Sequence, residues 1–211
     1  MMPEFQSPLV PVVVIDDATA AGPLADALVE GGLPIVEVTL RTAAGLEAIR
    51  RLSGREDIQV GAGTVLSVAE LDQAVAAGAQ FIVSPGTSPA LLDRAAELGV
   101  WAIPGAVTAS EVLQVLERGL NQIKFFPAAA AGGPPVIKAL SGPFSAARFI
   151  PTGGIGPANL AEYLNLPSVA AVGGSWMVPR QAIAARDFGA IRGLVGEAAA
   201  LAAQIRQGKE Q

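Results

Sequence analysis

The chain has 211 residues, 51% hydrophobic and 16% charged, with a formal net charge of −5. That length suits one substantial core, and the composition is that of a packed globular enzyme, not a disordered segment. The acidic balance offers no basic face to nucleic acid, the lack of cysteine excludes disulfides and thiol nucleophiles, and the lack of histidine restricts candidate bases to Asp, Glu, Tyr or a neutral Lys and metal ligands to oxygen.

The first residues, Met-Met-Pro-Glu-Phe-Gln, lack a charged region followed by an apolar one. The apolar runs near 9–15 and 35–40 are too short to span a bilayer, so the expectation is a soluble cytoplasmic protein with no membrane partner. Apolar runs bounded by turn residues predict strands near 10–16, 35–40, 59–65, 81–85, 100–104, 122–127, 148–152 and 169–174. Between them, helical spacing appears at 23–30, 68–79, 91–98 and 112–116, and an alanine-rich stretch from Asp187 to Gln204 reads as a long terminal helix. Ser67, with Glu70 three residues on, and Ser110 are candidate N-caps. Near-continuous apolar strands alternating with helices imply a parallel sheet covered on both faces. Eight such units predict an α/β chain forming a single (β/α)8 barrel of the TIM type over residues 1–211, with no linker or domain boundary.

Lys124 is the most informative residue. The chain has three lysines. Lys209 lies in a polar tail, Lys138 falls where a surface helix is expected, and Lys124 alone sits inside an apolar run, Asn121-Gln122-Ile123-Lys124-Phe125-Phe126. Ammonium groups are rarely buried without a partner, because desolvation is costly. Burial favours the neutral amine, and a neutral amine in an apolar pocket is the nucleophile of Schiff-base chemistry. The competing reading is a lysine that snorkels to water or pairs with a carboxylate.

Barrel chemistry collects at the carboxyl ends of the strands, and the polar and glycine-rich positions follow that rule. The second strand carries Glu37, Thr39 and Arg41 on one face by period-two counting. Glu37 lies between Val36 and Val38, where a barrel strand has no solvated face. The third strand ends in Gly61-Ala62-Gly63-Thr64, the fourth in Ser84-Pro85-Gly86-Thr87 and the sixth carries Lys124 and Phe126. The seventh ends in Thr152-Gly153-Gly154-Ile155 and the eighth in Gly173-Gly174-Ser175-Trp176. Paired glycines after the last two strands let backbone N–H groups converge on a phosphate, with the Ser175 hydroxyl as a further donor. Tight strand-to-helix turns would use glycine as well. Taken singly, Arg41 is more often a strand-end ion pair, Thr64 and Thr152 capping hydroxyls, Pro85 turn punctuation and Phe126 core.

Together these residues resemble the bacterial 2-keto-3-deoxy-6-phosphogluconate (KDPG) aldolase family, also described as 4-hydroxy-2-oxoglutarate (KHG) aldolases. The resemblance runs from about residue 8 to residue 185 through Val36-Glu37-Val38-Thr39-Leu40-Arg41-Thr42, Gly61-Ala62-Gly63-Thr64-Val65, Val83-Ser84-Pro85-Gly86, Pro104-Gly105, Ile123-Lys124-Phe125-Phe126-Pro127-Ala128, Pro151-Thr152-Gly153-Gly154-Ile155 and Gly173-Gly174-Ser175-Trp176. It implies a trimeric (β/α)8 barrel catalysing a class I, metal-independent aldol cleavage without a cofactor. It implies that Lys124 forms the Schiff base and Glu37 is the general acid/base. Arg41 and Thr64 would hold the pyruvate carboxylate, Pro85 and Phe126 line the pyruvate pocket, and Thr152 lie near the substrate hydroxyls. Gly153, Gly154, Gly174 and Ser175 would bind the 6-phosphate of a phosphorylated keto acid. One departure is Ala129, where many members have glutamate after Phe-Phe-Pro-Ala.

Three other readings share parts of this pattern. A sugar-phosphate isomerase or epimerase would have the glycine motifs but no need for Lys124. A non-catalytic barrel could bind phosphorylated ligands. A metal-dependent aldolase would require a divalent ion.

Overall fold

The computed structural model describes residue 5 and residues 7–208. The opening residues 1–4 and Lys209 lie outside them. Eight strands, β1 (Leu9–Val13), β2 (Ile35–Thr39), β3 (Gln59–Gly63), β4 (Phe81–Val83), β5 (Trp101–Ile103), β6 (Gln122–Phe125), β7 (Arg148–Pro151) and β8 (Val172–Gly174), fall at the eight expected places. Nine helices among the described residues alternate with them: α1 (Ala21–Glu30), α2 (Gly45–Leu52), α3 (Val68–Ala76), α4 (Pro89–Leu98), α5 (Ala109–Leu116), α6 (Gly133–Ser141), α7 (Leu160–Leu164), α8 (Arg180–Ala184) and α9 (Phe188–Gln207).

All strand pairs are parallel. Six strands run in the order β5-β4-β3-β2-β1-β8, and β6 pairs with β7. Single parallel bridges close the two seams: Gly105 to Lys124 between β5 and β6, and Phe149 to Val169 and Thr152 to Gly173 between β7 and β8. The result is a (β/α)8 barrel. Lys124 is itself a stitch in the first seam, since its N–H donates to the Pro104 carbonyl and its carbonyl accepts from the Ala106 N–H, both at 2.9 Å.

Strand alternation sorts the side chains into two packed regions. Outward residues such as Leu9, Val13, Val36, Val38, Ile123, Phe125 and Phe149 join the helices in the larger core. Inward residues Val10, Ile35, Phe81, Val83, Trp101, Ile103 and Ile150 fill the barrel. Gly63 also faces inward, and a methyl group there would overlap the Glu37 carboxylate. Glycine at that position therefore gives an interior carboxylate its room.

Local signals explain the helix starts. Ser67 caps α3 as expected, accepting from the Glu70 N–H at 3.2 Å, while the Glu70 carboxylate accepts from the Leu66 N–H. The cap of α5 is Thr108, not Ser110, which lies inside the helix. Thr108 accepts from the Glu111 N–H and Glu111 accepts from the Thr108 N–H, a complete capping box that Ser110 could not form because the acidic residue follows it directly. The eighth strand is shorter than expected: Val169 bridges β7 alone, and pairing with β1 starts at Val172.

α9 forms as the expected long terminal helix, with Asp187 as its cap, and extends to Gln207. By length and composition it could cross a membrane, with a mean hydropathy of 1.2. Its buried residues Ile191, Val195, Ala198 and Ala202 instead pack on the barrel, chiefly on α1. Its outer face carries Arg192, paired with Glu30 at 2.9 Å, and exposed Glu197.

Candidate active site

β2 and β6 bring the two expected reactive groups together inside the barrel. Lys124 Nζ lies 2.9 Å from Glu37 Oε1. The side chains are 8% and 4% exposed. Neither β2 nor β6 could hold a charge against the apolar helices, and the alternation that turns Val36, Val38, Ile123 and Phe125 outward turns Glu37 and Lys124 inward. The competing sequence reading was a lysine that snorkels to water or pairs with a carboxylate, and the second half of it is what the structure has. The lysine does not reach water: it is buried and paired, and the pairing supplies the partner that a buried charge requires.

Below the pair runs a narrow, mostly apolar cavity walled by Val10, Phe81, Val83, Ile103 and Ile150, with Thr152 beside the pair and Phe5 at the far end. Phe126 covers the other side: its ring centre is 5.4 Å from Lys124 Nζ, and it is 38% exposed. That placement suits a cation–π contact and the mouth of a pocket.

Thr39 lies on the inward face with Glu37, and its hydroxyl donates to the Val13 carbonyl at 2.8 Å. Thr42 donates to the Ile15 carbonyl, tying the loop after β2 to the end of β1. Arg41 lies in that loop, beyond the strand, and is exposed. Among the described residues every other arginine donates to a carboxylate or a carbonyl, whereas Arg41 has no such partner. A guanidinium left free at the barrel mouth is available to an anion.

Thr64, directly after β3, has φ 58°. A β-branched residue in the left-handed region is strained by about 1–3 kcal/mol, and such strain collects where a side chain is held for function. Pro85 is half-buried in the loop after β4, where Ser84 donates to the Gly86 carbonyl at 2.8 Å.

After β7, Gly153 and Gly154 have φ values of 100° and 76°, conformations that favour glycine. The Asn159 side chain folds this loop, donating to the Gly154 carbonyl and accepting from the Gly156 N–H. Gly174 is buried and Ser175 exposed at the end of β8. Thr152 bridges the two loops through its pairing with Gly173. The glycine pairs therefore meet at one side of the mouth. α8 starts only at Arg180, so no helix begins at the glycines themselves. Arg180 instead clamps the loop after β1: it makes a two-pronged pair with Asp16 at 2.6 and 2.7 Å and, through that hydrogen bond, holds the Asp16 carboxyl below its ordinary value. Among the described residues no group of three or more Asp or Glu could hold a metal ion.

The expected site residues lie near or beyond the carboxyl ends of their strands, except Glu37, which is the middle residue of β2 and projects into the barrel. Sequence reasoning placed Thr39 on the inward face with Glu37, but gave no role to Thr39 or Thr42 and did not single out Phe5. No periodic signal marks Phe5.

The sequence model of the KDPG and KHG aldolase family matches residues 5–194. The KHG/KDPG aldolase of Escherichia coli (strain K12) is 47% identical over 192 residues, covering 90% of each chain. A crystal structure of KDPG aldolase from Legionella pneumophila, with pyruvate captured as a covalent carbinolamine intermediate, superposes with a TM-score of 0.89 at 45% identity, covering 92% of this chain and 94% of that one. The KDPG aldolase of Zymomonas mobilis ZM4 with 3-phosphoglycerate gives 0.88 at 44% identity, covering 93% of each. Fold and matches together define a barrel aldolase, a carbon–carbon lyase. The chain belongs to the KDPG and KHG aldolase family.

Proposed function

We propose that the chain is a class I aldolase that cleaves 2-keto-3-deoxy-6-phosphogluconate to pyruvate and glyceraldehyde 3-phosphate, with Lys124 as the Schiff-base lysine and Glu37 as the general acid/base. The observation that carries this reading is the buried 2.9 Å contact between Lys124 Nζ and Glu37 Oε1 at the barrel mouth. Glu37 takes a proton from the lysine, which frees the amine to attack the C2 ketone. Glu37 gives that proton to the carbinolamine hydroxyl, which leaves as water; an iminium and an ionised Glu37 remain. The C3–C4 bond breaks, its electrons pass into an enamine, and Glu37 accepts the C4 hydroxyl proton. A proton returned to C3 and hydrolysis of the imine release pyruvate and the free lysine.

Arg41 and the Thr64 hydroxyl hold the keto-acid carboxylate, Pro85 and Phe126 line the pyruvate pocket, and Thr152 faces the substrate hydroxyls. Gly153, Gly154, Gly174 and Ser175 bind the 6-phosphate, whose remote anchoring positions C4 for cleavage. The covalent pyruvate of the Legionella relative and the 3-phosphoglycerate of the Zymomonas relative support the two halves of this assignment. The E. coli relative's double name supports a second activity, cleavage of 4-hydroxy-2-oxoglutarate to pyruvate and glyoxylate. We take residues 1–211 as one barrel domain, acting as a cytoplasmic homotrimer.

Comparing kcat/KM across the 6-phosphogluconate-derived keto acid, its galactonate epimer and 4-hydroxy-2-oxoglutarate tests the substrate. The first should be preferred; preference for the epimer would make the chain a 2-keto-3-deoxy-6-phosphogalactonate aldolase. Sedimentation velocity tests the trimer, and a monomer at assay concentration would contradict it.

A further inference from the structure

We propose that Phe5 is a positioning residue for the aldol reaction: its ring plugs the amino-terminal mouth of the barrel and keeps water from beneath the Lys124–Glu37 pair. The proposal rests on the reading of Lys124 as the imine-forming amine. Two cavities meet at this ring. The inner one reaches up to Glu37 and Lys124, is walled by apolar side chains, and has a volume of about 10 Å³, at the limit of a single water. The outer one is an open, polar cavity of about 780 Å³ at the opposite end of the barrel from the reactive pair, lined by Asn121, Arg148 and Arg206 among others. Among the described residues, Phe5 is the one side chain that lines both.

The ring is held in place by aromatic contacts with the first residues of two strands. Its centre lies 4.6 Å from the Trp101 ring, tilted 47°, and 5.7 Å from the Phe81 ring in an edge-on arrangement. These are the distances of favourable aromatic pairs. Phe81 and Trp101 themselves pack at 5.4 Å, so three rings make a continuous floor. Trp101 Nε1 is buried without an acceptor. A water entering past Phe5 would reach the apolar walls of the inner cavity and, above them, the Lys124–Glu37 pair.

The consequence for catalysis is electrostatic. A dry, low-dielectric interior strengthens the interaction of Lys124 with Glu37 and with the iminium that replaces the amine. Water beneath the pair would compete for the Glu37 oxygens and loosen the geometry set by the 2.9 Å contact. Phe5 lies far from the mouth where Arg41 and the glycine loops face solvent, so its loss should leave substrate capture intact.

The test compares wild type, Phe5→Ala and Phe5→Leu. Each is incubated with pyruvate and borohydride, and the rate of adduct formation at Lys124 is followed by mass spectrometry alongside steady-state cleavage. Phe5→Ala should lower both the trapping rate and kcat roughly tenfold, about 1.4 kcal/mol in barrier, with KM within about twofold. Phe5→Leu, which still fills the opening with apolar atoms, should restore most of the loss. In a Trp176→Phe background, where Trp101 is the sole tryptophan, Phe5→Ala should raise acrylamide quenching of Trp101 fluorescence and Phe5→Leu should not. Wild-type trapping and kcat in Phe5→Ala, a loss confined to KM, or a loss without increased quenching would overturn the proposal. A wild type that forms no adduct would instead overturn the Schiff-base reading itself.

Discussion

A buried lysine and a buried glutamate stabilise each other only as a pair, so the two cannot be probed alike. Lys124→Ala leaves an unpaired carboxylate inside the barrel, a defect of about 3–5 kcal/mol, and loss of activity would then be mixed with loss of fold. Glu37→Gln keeps a hydrogen-bonding side chain of the same shape but cannot take a proton. It should lower kcat by roughly 10²–10⁴-fold, the range of general acid/base catalysis, while a thermal melt still shows a cooperative transition; wild-type kcat would remove Glu37 from the mechanism. Thr64 offers a cleaner separation of stability from activity. Its φ of 58° suits glycine, so Thr64→Gly should not lower the Tm, yet should raise KM for the keto acid. A lower Tm with unchanged KM would make Thr64 structural. The reactive pair was legible in the sequence because each charge interrupts an apolar run. Phe5 was not, because one aromatic residue in a short polar segment carries no periodicity. The freedom of Arg41 and the strain of Thr64 are properties of tertiary geometry, which residue order does not display.

Strands and helices were the most legible level, since eight apolar runs at near-regular spacing leave few other architectures. The errors fell at the ends of elements, where two local signals compete. Ser110 looked like a cap, but Thr108 has a glutamate three residues on and takes the role. Thr108→Ala should therefore cost about 1 kcal/mol, a Tm loss of about 2–4 °C in a chain of this size, with kcat and KM unchanged. No change in Tm would mean that the capping box contributes nothing. The eighth strand was read too long because Val169 to Ala171 are apolar enough for a strand, yet pair with β7 at a single bridge. α9 was read correctly as one long helix, and it packs so closely on the end of α1 that a methyl group at Gly31 would meet the Val195 side chain.

For the whole molecule, the lack of histidine removes the side chain that ordinarily titrates between pH 5 and 8. Surface carboxylates contribute to the acid response. Hydrogen bonds from Arg180, Arg50 and Arg55 hold Asp16, Glu47 and Asp57 below their ordinary values, and the Thr19 hydroxyl does the same for Asp17. At Glu111 burial pushes upward, but bonds from the Val107 and Thr108 N–H groups and the Thr108 hydroxyl outweigh it. Carboxyls lowered in the folded state stabilise it above their unfolded values, and that contribution is lost as the pH falls through the folded ones. The Tm should thus decline as pH drops below the ordinary Glu and Asp values of 4.5 and 3.8; a Tm that rises on acidification there would contradict the assignment. EDTA should leave aldol cleavage intact, whereas loss restored by a divalent ion would point to a metal-dependent route. The central claim is that Lys124 is the covalent catalyst, and borohydride reduction in the presence of pyruvate tests it most directly. Peptide mass spectrometry should find one reduced adduct, on Lys124, in step with loss of activity. An adduct on another lysine, or full inactivation with Lys124 unmodified, would contradict the account.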